Sequence, residues 1–532
     1  MRQYEIYEKK WKAEKNSEED VGRKLPEFVF FHPVSGKEKH IKCFKSGENE
    51  FCMRFFPEEQ GWWEYKVMGE IEESGSVFFE PKDQNKHGVV RVIGKHFEYQ
   101  DGTTFYPIGT TIYALLHQKK ELYEQTFETL KNGTFNKVRF CIFPKYYDWN
   151  RNDPLIFPFE KTDGKWDTKK PCYAYWDFLD VTLNKLDSLG IQADLILFHP
   201  YDRWGFSKFT REEAIEYLDY AVNRLSSHQN IWWSLANEYD LLDYELEDWN
   251  FFADYITKKD VYGHLLSNHN AIHFWDFANK DTTHICVQTT DIRGACELAS
   301  VFQKPVIIDE CGYEGNLEFN WGNLSGEEMT ENFWIAVSRG AYCTHGETFL
   351  NAECDDEVLW WSKGGELKGD SWKRIKFLRS ILESLPGPLE FVKTGYAQYS
   401  LEEIGKIAEM SKEMRPKEFQ AGQYTKGLLH ANKEEILRIQ SNGRLDCSHY
   451  KDEVFLYYLG RRCPSSFTME LPIGNTYIFQ LIDTWKMTCD EVKGEKVKIE
   501  ESQVRNKGNI WRIHFPSKPY LAILARKIEE KK

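Results

Sequence analysis

Between about residue 97 and residue 385 the chain alternates two hydrophobic rhythms. Short, nearly continuous apolar runs stop abruptly, and most are followed by a longer stretch whose apolar residues recur every three to four positions. The first kind predicts strands buried on both faces of a parallel sheet, and the second predicts amphipathic helices packed against it. The runs are YPIGTT (106–111), NKVRFCIFP (136–144), QADLILFHP (192–200), IWWSLANE (231–238), LLSNH (265–269), HICVQT (284–289), PVIIDE (305–310) and AYCTHGE (341–347). Helices are predicted near 119–132, 173–189, 210–227, 245–260, 291–303, 327–340 and 372–385, and the helical pattern is weakest between the fifth and sixth runs. Eight strands alternating with helices over roughly 290 residues fit an α/β fold of the (β/α)8 TIM barrel type. A doubly wound sheet is the lesser alternative, because no G-x-G-x-x-G follows the first run.

Both ends of the chain read differently. FVFFHP, KHIKCF, FCMRFF and WWEYKV near the start, and VFLYYLG, TYIFQLID, IWRIHFP and YLAILA near the end, are short β-like runs between turn residues. They predict a β-sandwich on either side of the barrel. Pro386, Gly387 and Pro388 break the last helix, so the expected division is 1–90, 91–388 and 389–532. With 532 residues the chain is long enough for several cores. The sandwiches are expected to buttress the barrel rather than to bind a ligand of their own.

Two of the barrel runs close on a glutamate, Glu238 and Glu310. Carboxylates are seldom buried without a role, and the C-terminal rim of parallel strands is where such barrels keep their chemistry. Two glutamates on different strands can face each other across one pocket, as hydrolysis of a glycosidic bond requires. Asn237 beside Glu238 on the fourth strand, with a second glutamate closing the seventh, resembles the retaining glycoside hydrolases of clan A. With FPKYYDWNRNDPLIFPFE, FHPYDRWGF, WWSLANEYD, VIIDECGYEGN and THGETFL the likeness extends over nearly the whole chain. It resembles bacterial proteins related to the apiosidase-like barrels, which carry one sandwich before the barrel and another after it. That resemblance implies Glu238 as acid/base and Glu310 as nucleophile. Retention needs one neutral and one ionised carboxyl group about 5 to 5.5 Å apart, held at different pKa values by different neighbours. Arg139, near the end of the second strand, is the expected cation beside Glu310, while apolar surroundings would raise Glu238. Asn237 is expected to bind the sugar 2-hydroxyl. Asp309 and Glu314 compete for the nucleophile's role, but strand alternation should point Asp309 away from Glu310.

Further rim candidates for substrate binding are His199, Asp202 and Arg203 after the third strand, His269 after the fifth, Gln288 on the sixth, Tyr313 after the seventh, and His345 and Glu347 after the eighth. Asn270 shares that rim. The 145–160 loop with Trp360 and Trp361 is expected to supply aromatic walls, with Trp204 and Trp275 as further stacking candidates. Histidines after strands three, five and eight could instead hold a catalytic metal, but the first strand lacks the H-x-H pair such barrels use. A non-catalytic sugar-binding protein is the other rival, and the presence of both glutamates speaks against it. No cofactor or metal is expected.

Composition narrows the partners. Aromatic residues make up 15% of the chain, with 18 Trp, which suits stacking on sugar rings as well as packing. A net charge of -15 without a basic block argues against nucleic acid or an anionic membrane surface. The start, MRQYEIYEKKWKAEKN, has no apolar core of an export signal, and the 12 cysteines form no C-x-x-C pair, so a reducing cytoplasm is expected. The substrate is then a plant-derived oligosaccharide or glycoside already inside the cell, attacked from one end. An endo-acting hemicellulose or pectin hydrolase is the runner-up, and a homo-oligomer is compatible with the sequence.

Overall fold

The computed structural model describes residues 1–12, 25–68, 73–350, 359–392, 445–492, 497–499 and 510–529. Residues 393–444, which the sequence reading assigns to the second sandwich, lie outside the described residues.

All eight expected barrel strands are present: β1 (Gly109–Thr111), β2 (Lys137–Cys141), β3 (Gln192–Phe198), β4 (Ile231–Ala236), β5 (Leu266–Ser267), β6 (Ile285–Gln288), β7 (Val306–Glu310) and β8 (Tyr342–His345). They form one parallel sheet in the order β5-β4-β3-β2-β1-β8-β7-β6. No ladder joins β5 to β6. The seam is closed instead by loop contacts, in which Thr283 N–H donates to Leu266 O at 2.8 Å and Gln288 N–H donates to Asn270 Oδ1 at 3.1 Å. The helices are α1 (Lys120–Leu130), α2 (Tyr173–Ser188), α3 (Arg211–Leu225), α4 (Leu246–Lys259), α5 (Ile292–Phe302), α6 (Gly326–Val337), the single turn α7 (Trp360–Lys363) and α8 (Ser371–Glu383). The stretch from β5 to β6, where the helical pattern is weakest, holds no helix. Thr210 with Glu213 and Ser325 with Glu328 form capping boxes that start α3 and α6, which satisfies backbone N–H groups the first turn leaves unpaired.

Below the barrel, the strands Val90–Ile93, His96–Tyr99 and Thr104–Phe105 make a small antiparallel sheet around the Asp101–Gly102 turn. Phe97 lies 5.4 Å from Trp232, 5.7 Å from His284 and 5.8 Å from Tyr342, ring centroid to centroid, at the starts of β4, β6 and β8. The sheet thereby plugs the end of the barrel opposite the strands' C-terminal rim.

At the chain's start a three-stranded and a four-stranded antiparallel sheet share a core of Phe28, Phe30, Met53, Phe55 and Trp63. Arg54 from this region forks onto Asp180 of α2 at 2.8 and 2.9 Å. At the chain's other end, Val454–Gly460 lies inside a larger sheet and is buried on both faces. Phe455, Tyr457 and Leu459 pack within that region, while Val454, Leu456 and Tyr458 join the barrel's core. Period-two alternation therefore splits one strand between two hydrophobic cores. Arg293 and Arg339 from the barrel both reach Asp446 on this side.

Candidate active site

Side chains of alternate β2 residues fill the barrel's interior. Lys137 Nζ donates to Asp194 at 2.8 Å and to Asp309 at 2.7 Å, and Arg139 donates to Ser234 at 2.9 Å and sits 3.4 Å from Asp194. Above this charged layer opens a cavity of about 470 Å³, lined by both Glu238 and Glu310 with Asn237, Tyr113, Lys145 and Tyr201 among others. That volume lies in the range of small-ligand sites.

Local backbone geometry aims each glutamate. Glu238 follows β4 with a φ of +56°, a left-handed conformation that a side chain with a Cβ adopts at a cost of about 1 kcal/mol or more. Its own N–H meets His269 Nδ1 at 3.3 Å, and the next N–H donates to His269 O at 2.9 Å, so the strained turn is held from β5's exit. At β7 the pairing with β6 shifts, so that Gln288 lies opposite Glu310 and Asp309 is left out of register. Such a bulge re-aims the residue after it. Strand alternation, which would send Asp309 and Glu310 to opposite faces, is corrected here. Asp309 bonds the lumenal Lys137, Cys286 and Thr344, while Glu310 also turns inward, one level higher, into the cavity.

A chain of polar contacts joins the two carboxylates. The Tyr113 hydroxyl donates to Glu310 and also lies 2.9 Å from Asn237 Oδ1, and Asn237 Nδ2 donates to Glu238 Oε2 at 3.3 Å. The Tyr201 hydroxyl donates to the same Glu238 oxygen. Burial, and then the charge of Glu238, push the Glu310 carboxyl up from 4.5 to about 7, against the Tyr113 hydrogen bond and the Lys145 and Arg139 charges. The sequence expectation puts the raised carboxyl at Glu238; the raised one is Glu310, and the pair holds one proton close to neutrality. His269 Nε2 lies 3.8 Å from Glu310, and burial, aided by Arg139, drives this imidazole well below its ordinary range. It is a neutral neighbour.

Of the residues expected from the sequence, Asn237, Glu238, Gln288, Glu310, Tyr313 and Trp361 line the cavity with Tyr147 and Trp149 of the expected loop, and His269 backs it. The others are used elsewhere. Arg139 is spent on Asp194 and Ser234 in the lumen and touches Glu310 only through its field. His199 is bonded to Phe143 O, Asp202 accepts the N–H groups of Trp204, Gly205 and Ser207 in its own loop, and Arg203 pairs with Asp153 at 2.6 Å. His345 meets Thr110, Glu347 accepts Lys368 N–H, and Trp360 donates its indole N–H to Thr110. Trp204 donates to Asp153, and Trp275 packs edge-on against Tyr239. The aromatic wall is built by Tyr147, Trp149, Trp321 and Trp361, with Trp361 5.3 to 5.6 Å from the rings of Tyr147, Trp149, Tyr313 and Trp321.

Comparison with known proteins now decides the family. Residues 93–386 match the model described as apiosidase-like, catalytic domain. The chain belongs to that apiosidase-like family. Residues 444–526 match a domain of unknown function, DUF5605. A protein from Bacteroides vulgatus ATCC 8482, whose crystal structure is described as that of a candidate glycoside hydrolase, shares 30% identity at a TM-score of 0.81, over 99% of each chain. A glycoside hydrolase family 5 protein from the same strain shares the fold at a TM-score of 0.59 and 15% identity, over 84% of this chain and 94% of that one. No curated protein matches. The apiosidase-like barrel is accordingly a glycoside hydrolase, acting on carbohydrate.

In this apiosidase-like site the groups that sequence reading passed over are Tyr113, Lys145 and Tyr201. Lys145 is buried, its Nζ 3.4 Å from the Tyr113 ring centroid, 4.3 Å from that of Tyr201 and 4.8 Å from that of Tyr147. Burial lowers its pKa, while the nearby Glu238 and Glu310 charges oppose that. Each of these residues lies a few positions beyond a strand's end, and that placement on the rim was the available signal. The histidines after β3, β5 and β8 do not converge. Among the described residues the grouping with metal-ligand spacing is Glu314, His345 and Glu347.

Proposed function

We propose that the protein is a retaining, exo-acting glycosidase that cleaves terminal sugars from plant-derived oligosaccharides or glycosides by double displacement. Glu238 protonates the glycosidic oxygen as the Glu310 carboxylate attacks the anomeric carbon, and the aglycone departs with that proton. Water then attacks the glycosyl ester, losing its proton to Glu238 and releasing Glu310. The observation that carries this reading is the placement of both carboxylates in one cavity, bridged by Tyr113 and Asn237. Asn237, Gln288 and Tyr313 offer contacts for sugar hydroxyls, and Trp361 with Trp321 a stacking wall. The family's name makes apiosyl glycosides the first substrates to try. The eleven described cysteines are all unpaired, which favours a reducing, cytoplasmic setting. Residues 1–90 and 389–532 serve as buttresses of the 91–388 barrel.

The test is an activated fluorosugar whose second step is slow, followed by mass spectrometry of the digested protein. A glycosyl adduct on Glu310 is expected. An adduct on another residue, or a product released with inverted anomeric configuration, would overturn the assignment. Internal cleavage of a reduced oligosaccharide before terminal release would replace exo with endo action.

A further inference from the structure

Behind the cavity, Glu314, His345 and Glu347 bring one ligand-type atom each to within 4.8 Å of one another, all buried. Two polar atoms of this group have no hydrogen-bond partner among the described residues, His345 Nε2 and Glu347 Oε1. They face each other at 3.6 Å, with 0% and 2% of their side chains exposed. That is too long for a hydrogen bond, which would lie at about 2.7–3.2 Å. It is close to the edge of a tetrahedron around an ion bound at about 2.1 Å, roughly 3.4 Å.

The remaining polar atoms are already oriented. His345 Nδ1 meets Thr110 Oγ1 at 3.1 Å, Glu347 Oε2 accepts Lys368 N–H at 2.7 Å, and Glu314 accepts the N–H groups of Asp370 at 2.7 Å and Ser371 at 3.0 Å, together with the Ser371 hydroxyl. Such outer contacts fix a ligand's direction and leave the facing lone pairs unused. A Cβ on Gly369 would fall 2.4 Å from a Glu314 oxygen, so only glycine lets the backbone close around this carboxylate.

We propose that Glu314, His345 and Glu347 bind one divalent transition-metal ion of zinc's class, in a structural role. One imidazole nitrogen and two carboxylates suit zinc better than calcium, which takes oxygen ligands. The ion ties the β7 and β8 exits to the approach of α8. It thereby braces Tyr313, the neighbour of Glu314 and a wall of the cavity. None of the three ligands lines the cavity, so the ion takes no part in bond cleavage. The inference is independent of the roles given to Glu238 and Glu310.

The experiment is metal analysis and thermal unfolding of the full chain after chelation, dialysis and reloading with zinc chloride. One zinc per chain is expected, with a rise in Tm of about 2–5 °C when free zinc is a hundredfold above Kd. His345→Gln and Glu347→Gln should each lose the stoichiometric zinc and the rise, whereas Glu310→Ala should keep both. Should either ligand variant fail to fold, the other and the wild-type titration still decide. Failure of the wild type to take up zinc, or equal uptake and rise in a folded ligand variant, would overturn the site.

Discussion

Asp309 and Glu310 are adjacent in the chain, the first buried and the second partly so, yet their surroundings push them in opposite directions. Burial alone would raise Asp309, but the charges of Lys137 and Arg139 outweigh it and hold this carboxyl well below the usual carboxylate range. Around Glu310 burial and the charge of Glu238 win, and the group rises to about 7. The lower layer sets two cations, Lys137 and Arg139, against two anions, Asp194 and Asp309, in direct contact. The upper layer sets two glutamates against Lys145, which is turned onto tyrosine rings. A balanced cluster supports the barrel, whereas an unbalanced one stores a proton for chemistry.

The largest break in this contrast comes from deleting the upper carboxylates. Glu310→Ala should lower kcat on the order of 10⁵-fold. Glu238→Ala should cost about 10²–10⁴-fold on alkyl glycosides and far less on nitrophenyl ones, whose leaving groups need no proton. Equal losses on the two substrate classes would remove Glu238 as the acid. Below, the effect should fall on stability instead. Lys137→Met leaves Asp194 and Asp309 with Arg139 alone, and breaking a buried pair of this kind costs about 3–5 kcal/mol in urea unfolding. The activity of the molecules that still fold should change little.

A third prediction reverses the sign. The folded value of Glu310 lies above its ordinary 4.5, so the stability this group contributes is full below that value and is lost as pH rises through about 7. At about 1.4 kcal/mol per pH unit, the cost of ionising it in place is roughly 3 kcal/mol. Glu310→Gln should therefore unfold later than wild type at pH 8, with the gap shrinking to a small fraction at pH 5. A gap independent of pH would mean that Glu310 is not the raised group.

The sequence made the two layers legible to different degrees. Strands ending in Glu238 and Glu310 stand out because apolar runs stop abruptly there, and counting runs places them fourth and seventh. Arg139 reaches Glu310 through its charge alone and makes its contacts with Asp194 and Ser234, because a β2 side chain that points inward can serve the lumen as readily as the pocket. Alternation also failed at Asp309, since a one-residue bulge leaves no mark in PVIIDE. The small sheet beneath the barrel leaves little trace in the sequence although Asp101–Gly102 is a turn signal, because its strands are only two to four residues long. Tyr113 and Tyr201 belong to irregular rim segments, where no periodicity says which way a side chain points.

The smallest effect tests whether Lys145 belongs to the upper layer's electrostatics or only to its packing. In the proposed double displacement the active form is a pair with one proton. Above its upper pKa both glutamates are charged and the leaving oxygen finds no donor, so kcat/KM should fall as pH rises through about 7. Lys145 lowers that value through its charge, alongside the Tyr113 hydrogen bond. Lys145→Met keeps the length and apolar contact with the Tyr113 and Tyr201 rings but removes the cation. The basic limb of kcat/KM should then move to higher pH by about half to one unit, because the protonated pair is released less readily. Lys137→Met, in the lower layer and compensated by its partners, should move the limb by less. If Lys145→Met lowers kcat/KM equally at every pH and leaves the limb in place, the lysine only fills the space between the tyrosines, and the proton of the pair is governed by burial and Glu238 alone.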